Sequence, residues 1–389
     1  MLTKISASKQ LTMSAPTQDT PGELPRLRAR VDTLDAELVR LLNERASISV
    51  GIGLAKRKDA EKTGGVADEH IHRPSREMQI YERLETLNSG PLPTSAIQSI
   101  FREVMSASIS LQKETTIAFL GPRGTYSHQA AFERFGDSCQ YVEQETIKDV
   151  FDAVAGGSVT YGVVPFENSR FGSVQPTLDV FCALPGGKVQ IRAEHYLAVH
   201  HVLLRNKDTT RGQIRKIYSH AQGFGQCQTF LNQHMRGVER VNVSSTAKAA
   251  ELASREHGAA AICSLGCASI YGLDVEEKNI EDAADNTTRF FILGNASDMP
   301  SGNDRTLVFF TVDHRQPGAL CDALNTLKTR NINLTKIDSR PSGQRPWHYF
   351  FFLELTGHMA DEQVKAALAD MNAFCLDITM LGSYPAQQP

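Results

Sequence analysis

Over residues 24–55 the apolar side chains return at intervals of three and four. Leu27, Val31, Leu34, Leu38, Leu41, Ile48, Ile52 and Ala55 keep this spacing, and after Pro25 no proline interrupts it. The period draws one stripe down a long amphipathic helix, which commits the start of the chain to helical packing. The single gap in the stripe is Arg45, and Lys56, eleven residues on, returns to the same face after close to three turns. One cation on such a stripe reads as a snorkelling stem at the rim; two on one face point to an anionic ligand. Arg28 precedes Arg45 by seventeen residues, about 25 Å along a helix. A small metabolite that touches both must take them from different chains, so an interlocked homodimer is expected.

Beyond Lys56, residues 57–72 are polar and contain Gly64-Gly65, which reads as a flexible connection. Pro74 suits the first turn of a second helix, with Ile80, Leu84 and Leu87 inward, Glu77 on their face and Arg76 beside it. Pro91 and Pro93 break the chain. A third helix follows with Ile97, Phe101, Val104, Ser108 and Leu111 as its stripe and Gln112 alongside. Each polar residue alone is most simply a satisfied core group; together they line the helices with donors. The segments Leu27-Arg28, Leu42-Asn43-Glu44-Arg45, Leu54-Ala55-Lys56, Arg73-Pro74-Ser75-Arg76-Glu77 and Ser108 to Gln112 resemble the all-helical chorismate mutase family over about residues 24–113. The resemblance implies an entwined dimer that rearranges chorismate to prephenate. It assigns Arg28, Arg45 and Arg76 to the substrate carboxylates, Lys56 and Gln112 to the ether oxygen, and Glu77 and Ser108 to the hydroxyl side. Such a pericyclic step needs orientation and stabilisation of growing negative charge, with no nucleophile.

From residue 115 the pattern changes to short apolar runs alternating with helices, an α/β text. Thr116 to Leu120 reads as a buried strand, ended by Gly121-Pro122-Arg123-Gly124, and Thr125 to His128 leads into a helix. A helix spans about 147–155. The strand Tyr161 to Val164 then runs into Pro165-Phe166-Glu167-Asn168-Ser169, so a carboxylate and an amide sit where open α/β sheets bind ligands. A second half repeats the theme with Ile217-Tyr218 before Ser219-His220, Gln226-Cys227 on a helix, a Ser244-Ser245-Thr246 helix cap and the strand Ala259 to Ile262. Two such halves suggest a cleft between lobes. His195, His200 and His201 lie in apolar strand text and read as structural. Asn286-Thr287-Thr288-Arg289 opens a strand that closes on Phe290-Phe291-Ile292-Leu293; its hydroxyls and guanidinium form a compact donor set, although a capped strand start is the simpler reading.

Phe119 to His128, Val163 to Ser169, Ser219 to Cys227, Ser244 to Ala250 and Thr288-Arg289-Phe290 resemble, in that order, the prephenate dehydratase catalytic domain, two-lobed like the periplasmic binding proteins. The match covers about residues 115–295, with Ala221 where the family often has proline. It implies loss of carbon dioxide and hydroxide from prephenate to give phenylpyruvate. Thr288 carries over as the central catalytic residue. Glu167, Asn168, Ser219 and Gln226 would hold or protonate substrate, and Arg289 would help to anchor it.

Residues 299–303 read as a linker. After it a βαββαβ order spans about 305–384, with strands at 306–312, 332–337, 349–355 and near 378–381 and helices at 318–330 and 361–371. Gly318-Ala319-Leu320-Cys321 and Asp338-Ser339-Arg340-Pro341 resemble the two signature turns of the ACT amino-acid-binding domain, with Cys321 and Asp338 in place of the usual Val and Glu. This implies L-phenylalanine as an allosteric inhibitor; a dimerisation domain without ligand is the alternative.

The expected architecture is therefore multidomain: a disordered tail over 1–23 with Met13 as a possible start, an all-α three-helix unit, a two-lobed α/β unit and an α+β regulatory unit. A net charge of −3 spread without long like-charged blocks argues against nucleic acid or anionic membrane as partner. Seven irregularly spaced cysteines without a CxxC pair fit a reducing cytoplasm, and Cys263 and Cys267 lack the further ligands a zinc site needs. No Walker loop or GxGxxG fingerprint is present, so no cofactor is expected. A bifunctional biosynthetic enzyme is the favoured reading. A non-catalytic aromatic-amino-acid sensor, an enzyme whose helical unit only dimerises, and arogenate as dehydratase substrate are the alternatives.

Overall fold

The structure, a computed structural model, describes residues 22–63, 73–184, 188–342 and 346–387. The tail through residue 21 and the connection from 64 to 72 lie outside them. The first unit is helical: α1 (Glu23–Thr63), α2 (Pro74–Leu87) and α3 (Thr94–Ser110). The helix expected to end near Ala55 continues to Thr63, because the polar residues after Lys56 include good helix formers and no proline or glycine before Gly64. Only one face of α1 is covered by its own chain. Ser49 and Gly53 pack towards α3, where a Cβ on Gly53 would lie 3.0 Å from the Gln112 side chain. The apolar stripe points the other way: Leu27, Val31, Leu34, Leu38, Ile48 and Ile52 are each 48–60% exposed.

The middle of the chain forms two lobes. The first holds β1 (Thr116–Leu120), α4 (Tyr126–Phe135), β2 (Gln140–Gln144), α5 (Ile147–Ala155), β3 (Tyr161–Asn168), β4 (Gly172–Ser173), α6 (Gln175–Ala183) and β5 (Gln190–Ala198). The second holds β6 (Val202–Arg205), β7 (Lys216–Ser219), α7 (Ala221–Gly225), α8 (Gln228–His234), β8 (Glu239–Asn242), α9 (Thr246–Arg255), β9 (Ala259–Cys263), α10 (Cys267–Tyr271) and β10 (Asp274–Lys278). The chain then returns to the first lobe as β11 (Thr287–Gly294), which lies between β3 and β5 and antiparallel to both. The sheet orders are β2-β1-β3-β11-β5, with β4 on β3, and β10-β6-β9-β7-β8. Two crossings therefore join the lobes, at residues 199–201 and 279–286. Small side chains bring α9 close to its sheet: Ala247, Ala249, Ala250 and Ala253 are fully buried against Ala259 and Ala261.

The C-terminal unit is β12 (Asp304–Val312), α11 (Ala319–Thr329), β13 (Leu334–Pro341), β14 (Tyr349–Thr356), α12 (Glu362–Met371) and β15 (Cys375–Pro385), with sheet order β13-β14-β12-β15. It shares a core with the first lobe. Phe166, Phe291 and Leu293 lie in one buried cluster with Phe309, Phe352 and Tyr384. At the seam a Cβ on Gly382, at φ 141°, would meet the Ile191 carbonyl at 2.3 Å, so only glycine permits the approach of β15 to β5. Among the described residues no helix is long and apolar enough to cross a membrane, and all seven cysteines are free.

Candidate functional site

A cleft of about 510 Å³ opens between the two lobes. The carboxyl ends of β1, β3 and β7 and the start of β11 supply its walls, as expected for ligand sites of open sheets. Helix starts from both lobes converge on it. Thr125 caps α4 and accepts from His128 N, and Ser245 caps α9 and accepts from Lys248 N at 3.0 Å. Both caps line the cleft, together with Gln175 at the start of α6. The positive ends of three helix dipoles favour an anion in this space, whose lining holds no lysine or arginine among the described residues.

At the first-lobe wall, Thr288 on β11 stands opposite Asn168 on β3. The Asn168 amide Nδ2 donates to Thr288 Oγ1 at 3.0 Å and to Asn286 Oδ1 at 2.8 Å. Its Oδ1 accepts from the Arg170 and Phe171 N–H groups at 3.0 and 3.1 Å, so one side chain shapes the loop and holds the hydroxyl. Thr288 Oγ1 is thus an acceptor already engaged, and no described residue takes its proton. Across the cleft, Gln226 sits between α7 and α8 rather than on a helix, with Oε1 2.5 Å from His201 Nε2. His220, which caps α7, also reaches the lining, whereas His128 does not.

Three residues expected to touch substrate here face elsewhere. Side chains alternate along a strand, so Arg289 and Glu167, each one step from Thr288 and Asn168, project to the opposite face of the sheet. Arg289 is 5% exposed and lies among carboxylates. Its Nε donates to Glu194 Oε2 at 2.7 Å and its Nη1 to Glu354 Oε2 at 3.3 Å, while Nη2 reaches Tyr384 Oη at 3.2 Å. Glu167 accepts from Lys336 Nζ of β13 at 2.7 Å, with Arg289 at 3.8 Å. The pair thus joins the catalytic sheet to the C-terminal unit instead of lining the cleft. Ser219 is fully buried, its Oγ donating to the Ile262 carbonyl at 3.0 Å, and the close passage of Gly223 seals it off.

His201 and Tyr126, by contrast, belong to the cleft. His201 lies not within a strand but on the crossing between β5 and β6. The only sequence signal was a pair of histidines between two apolar runs.

The helical unit gathers part of its expected set. Arg45 Nη1 donates to Ser108 Oγ at 2.5 Å, and Gln112 Nε2 to the Ser108 carbonyl at 3.2 Å. Gln112 Oε1 is buried without a hydrogen-bond partner among the described residues. Burial pushes the Arg45 and Lys56 pKa values down, and for Lys56 the Arg73 charge adds to the effect. Arg28 is exposed on α1, and Arg76 is exposed with Nη1 on Gln79 Oε1 at 3.0 Å. Glu77 is not with this group: its carboxylate is 2.5 Å from Arg134 Nη1 of α4 and accepts from Tyr81. α2 lies against the first lobe, and the buried Arg134 needs a counter-ion there.

In the C-terminal unit Gly318, at φ 86°, precedes α11, followed by Ala319 and Leu320, while Asp338, Ser339 and Arg340 lie on the edge strand β13. Arg340 donates to Asp179 of α6 at 2.7 Å.

Comparison with known proteins agrees with this division. Residues 27–113 match the type II chorismate mutase family, 117–298 the prephenate dehydratase family and 306–372 the ACT domain family. The bifunctional chorismate mutase/prephenate dehydratase of Aquifex aeolicus is 40% identical over 367 residues, covering 93% of this chain and 98% of that one. A prephenate dehydratase solved with L-Phe, from Arthrobacter aurescens, is 31% identical with a TM-score of 0.64, covering 71% of this chain and 92% of that one. A chain named GqqA, described as a quorum-quenching acylase, is 29% identical with a TM-score of 0.64 over 70% of this chain and 98% of its own.

Proposed function

The chain belongs to the bifunctional chorismate mutase/prephenate dehydratase family, and from that membership we propose how its residues divide the two reactions. It rearranges chorismate to prephenate, then removes carbon dioxide and hydroxide from prephenate to leave phenylpyruvate. In the lobed cleft, Asn168 fixes Thr288 as an acceptor, so the Thr288 O–H donates towards the departing hydroxyl. A threonine is too weak an acid to surrender its proton outright; it stabilises and orients while the ring gains aromaticity. The three helix starts hold the two carboxylates of the substrate, and Gln226 supplies a donor from the facing wall. The bond from the Asn168 amide to Thr288, within a cleft ringed by helix starts, is the observation that carries this reading.

In the helical unit, Arg45, Lys56, Ser108 and Gln112 form one half of a mutase site, with Arg76 at its rim and Arg28 supplied by a second chain. The bare stripe of α1 supports the homodimer this requires. The family relation and the L-Phe complex of the Arthrobacter protein support feedback inhibition by L-phenylalanine. Gly318, Ala319, Leu320, Asp338, Ser339 and Arg340 are its proposed contacts, and the open β13 edge leaves room for a second C-terminal unit to complete them. A cytoplasmic enzyme without cofactor fits all of these roles.

The test is a coupled assay in which purified protein receives chorismate, with prephenate and phenylpyruvate followed with and without phenylalanine. Phenylpyruvate formed from chorismate and suppressed by phenylalanine is expected. Turnover of prephenate with chorismate untouched would reduce the helical unit to a dimerisation device, and no turnover of either would overturn the assignment.

A further inference from the structure

The cleft contains a hydrogen-bonded chain that the two reactions leave unexplained. It runs from the first lobe to the second through one of the two crossings. Tyr126, the first residue of α4, places Oη 2.9 Å from His201 Nδ1 and 2.9 Å from the His200 carbonyl. His201 Nε2 is 2.5 Å from Gln226 Oε1. The imidazole is 2% exposed, and its backbone is clamped on both sides: its N–H donates to Glu281 Oε2 at 2.8 Å, and its carbonyl accepts from Ile280 N at 3.0 Å. The Gln226 carbonyl in turn accepts from Asp282 N at 2.7 Å, so ring and amide are tied to the same second crossing.

A buried neutral imidazole offers one donor and one acceptor, and burial does hold the His201 pKa below its usual value. The Tyr126 hydroxyl has one hydrogen for two acceptors, the His200 carbonyl and Nδ1, and shares it between them, while Gln226 Oε1 can only accept from Nε2. A neutral ring that keeps the contact with Gln226 Oε1, an acceptor, therefore carries its proton on Nε2. With Oε1 claimed, the Gln226 NH2 is the end of the amide left to face the cleft, and it can only donate.

We propose that His201 is a positioning residue for prephenate dehydration. Held by Tyr126 as the Nε2–H tautomer, it fixes Gln226 so that the amide presents its NH2 to the anionic substrate. The opposite tautomer would turn the amide over and face a substrate carboxylate or leaving hydroxide with a carbonyl oxygen, which repels both. This proposal rests on the dehydratase reading of the cleft.

Two substitutions separate orientation from packing. In His201→Gln the side-chain amide reaches the place of Nε2 and can still donate to Gln226, whereas in His201→Asn it reaches only the place of Nδ1. Mutase turnover reports only the helical unit, so folding of the lobed unit is checked by the urea unfolding midpoint of each variant. His201→Asn is expected to lose about ten- to a hundredfold in prephenate kcat/KM, the effect of one misdirected hydrogen bond to an anion, with His201→Gln restoring most of it. Tyr126→Phe, which leaves the imidazole in place, should lose about tenfold. Nitrogen-15 histidine spectra of the full chain, assigned by difference from His201→Gln, should show His201 protonated on Nε2. Equal effects of the two His201 substitutions, an undiminished Tyr126→Phe enzyme or a ring protonated on Nδ1 would each overturn the proposal. Turnover by the unsubstituted chain measures the cleft's function, so a failure of that reading is seen separately from a failure of the relay.

Discussion

Replacing Arg289 by methionine tests whether this residue anchors substrate or clamps two domains. The guanidinium lies between Glu194 and Glu354, whose side chains are 0% and 2% exposed, and is itself 6% exposed. Methionine fills much of the volume but leaves both carboxylates buried. Glu194 keeps Arg305, at 3.3 Å, and Glu354 keeps hydrogen bonds from Tyr384 at 2.5 Å and Thr335 at 2.8 Å. Removing one member of a buried ion pair costs about 3–5 kcal/mol, most of it from the charge left uncompensated. These neighbours place the expected loss near the lower end, about 3 kcal/mol. Urea unfolding followed by tyrosine absorbance would read it. The double variant Arg289→Met with Glu354→Gln should recover part of the loss, since it also removes one stranded charge, and a double-mutant cycle gives the coupling. Dehydratase kcat should fall as β11 loosens next to Thr288, and inhibition by phenylalanine should weaken because the link between β11 and β14 is cut. A variant of unchanged stability whose KM for prephenate alone rises steeply would refute this reasoning and restore Arg289 as a substrate anchor.

Four further outcomes are expected. Thr288→Ala should lower prephenate turnover by about a hundredfold or more while mutase activity persists, measured on the same preparation. Arg28→Ala and Arg45→Ala should each abolish mutase activity, yet mixing the two after dissociation should return about a quarter of it, because half the dimers then hold one intact site of two. Leu34→Glu should weaken self-association in analytical ultracentrifugation, with mutase activity lost and prephenate turnover kept. Burial alone would raise the Glu354 pKa, but Arg289 and the hydrogen bonds around it hold it below the ordinary carboxylate range. Its contribution to stability is therefore present above pH about 4 and drains away as pH falls through the depressed value, which Tm measured against pH would follow.

Much of this architecture was legible because the local signals agree with the global fold. The three-and-four spacing of α1, the polar caps before α4 and α9, and the apolar run of β11 each report one element and its neighbours. Arg289 and Glu167 were misplaced for a reason the sequence did contain: the two-residue period of a strand sets each on the opposite face from Thr288 and Asn168. What no local pattern could supply was their destination. Glu194, Glu354 and Tyr384 lie far apart in the chain and meet only when β15 packs beside β5. Ser219 is hidden by the close passage of Gly223, and Glu77 by the need of Arg134 for a counter-ion, both tertiary facts. His201 was hidden by its surroundings, since a polar residue between two apolar runs reads as strand until the lobes separate around it.

The bare stripe of α1 has a consequence for how the protein responds to its own abundance. A helix of 41 residues, about 60 Å long, with its apolar side unburied within the chain, gains its stability from association. The two-lobed and C-terminal units carry closed cores of their own. Dilution should therefore separate the two activities by mass action: the first reaction fades with falling protein concentration while the second continues. A cell that makes little of this enzyme would process prephenate supplied from elsewhere and form almost none itself.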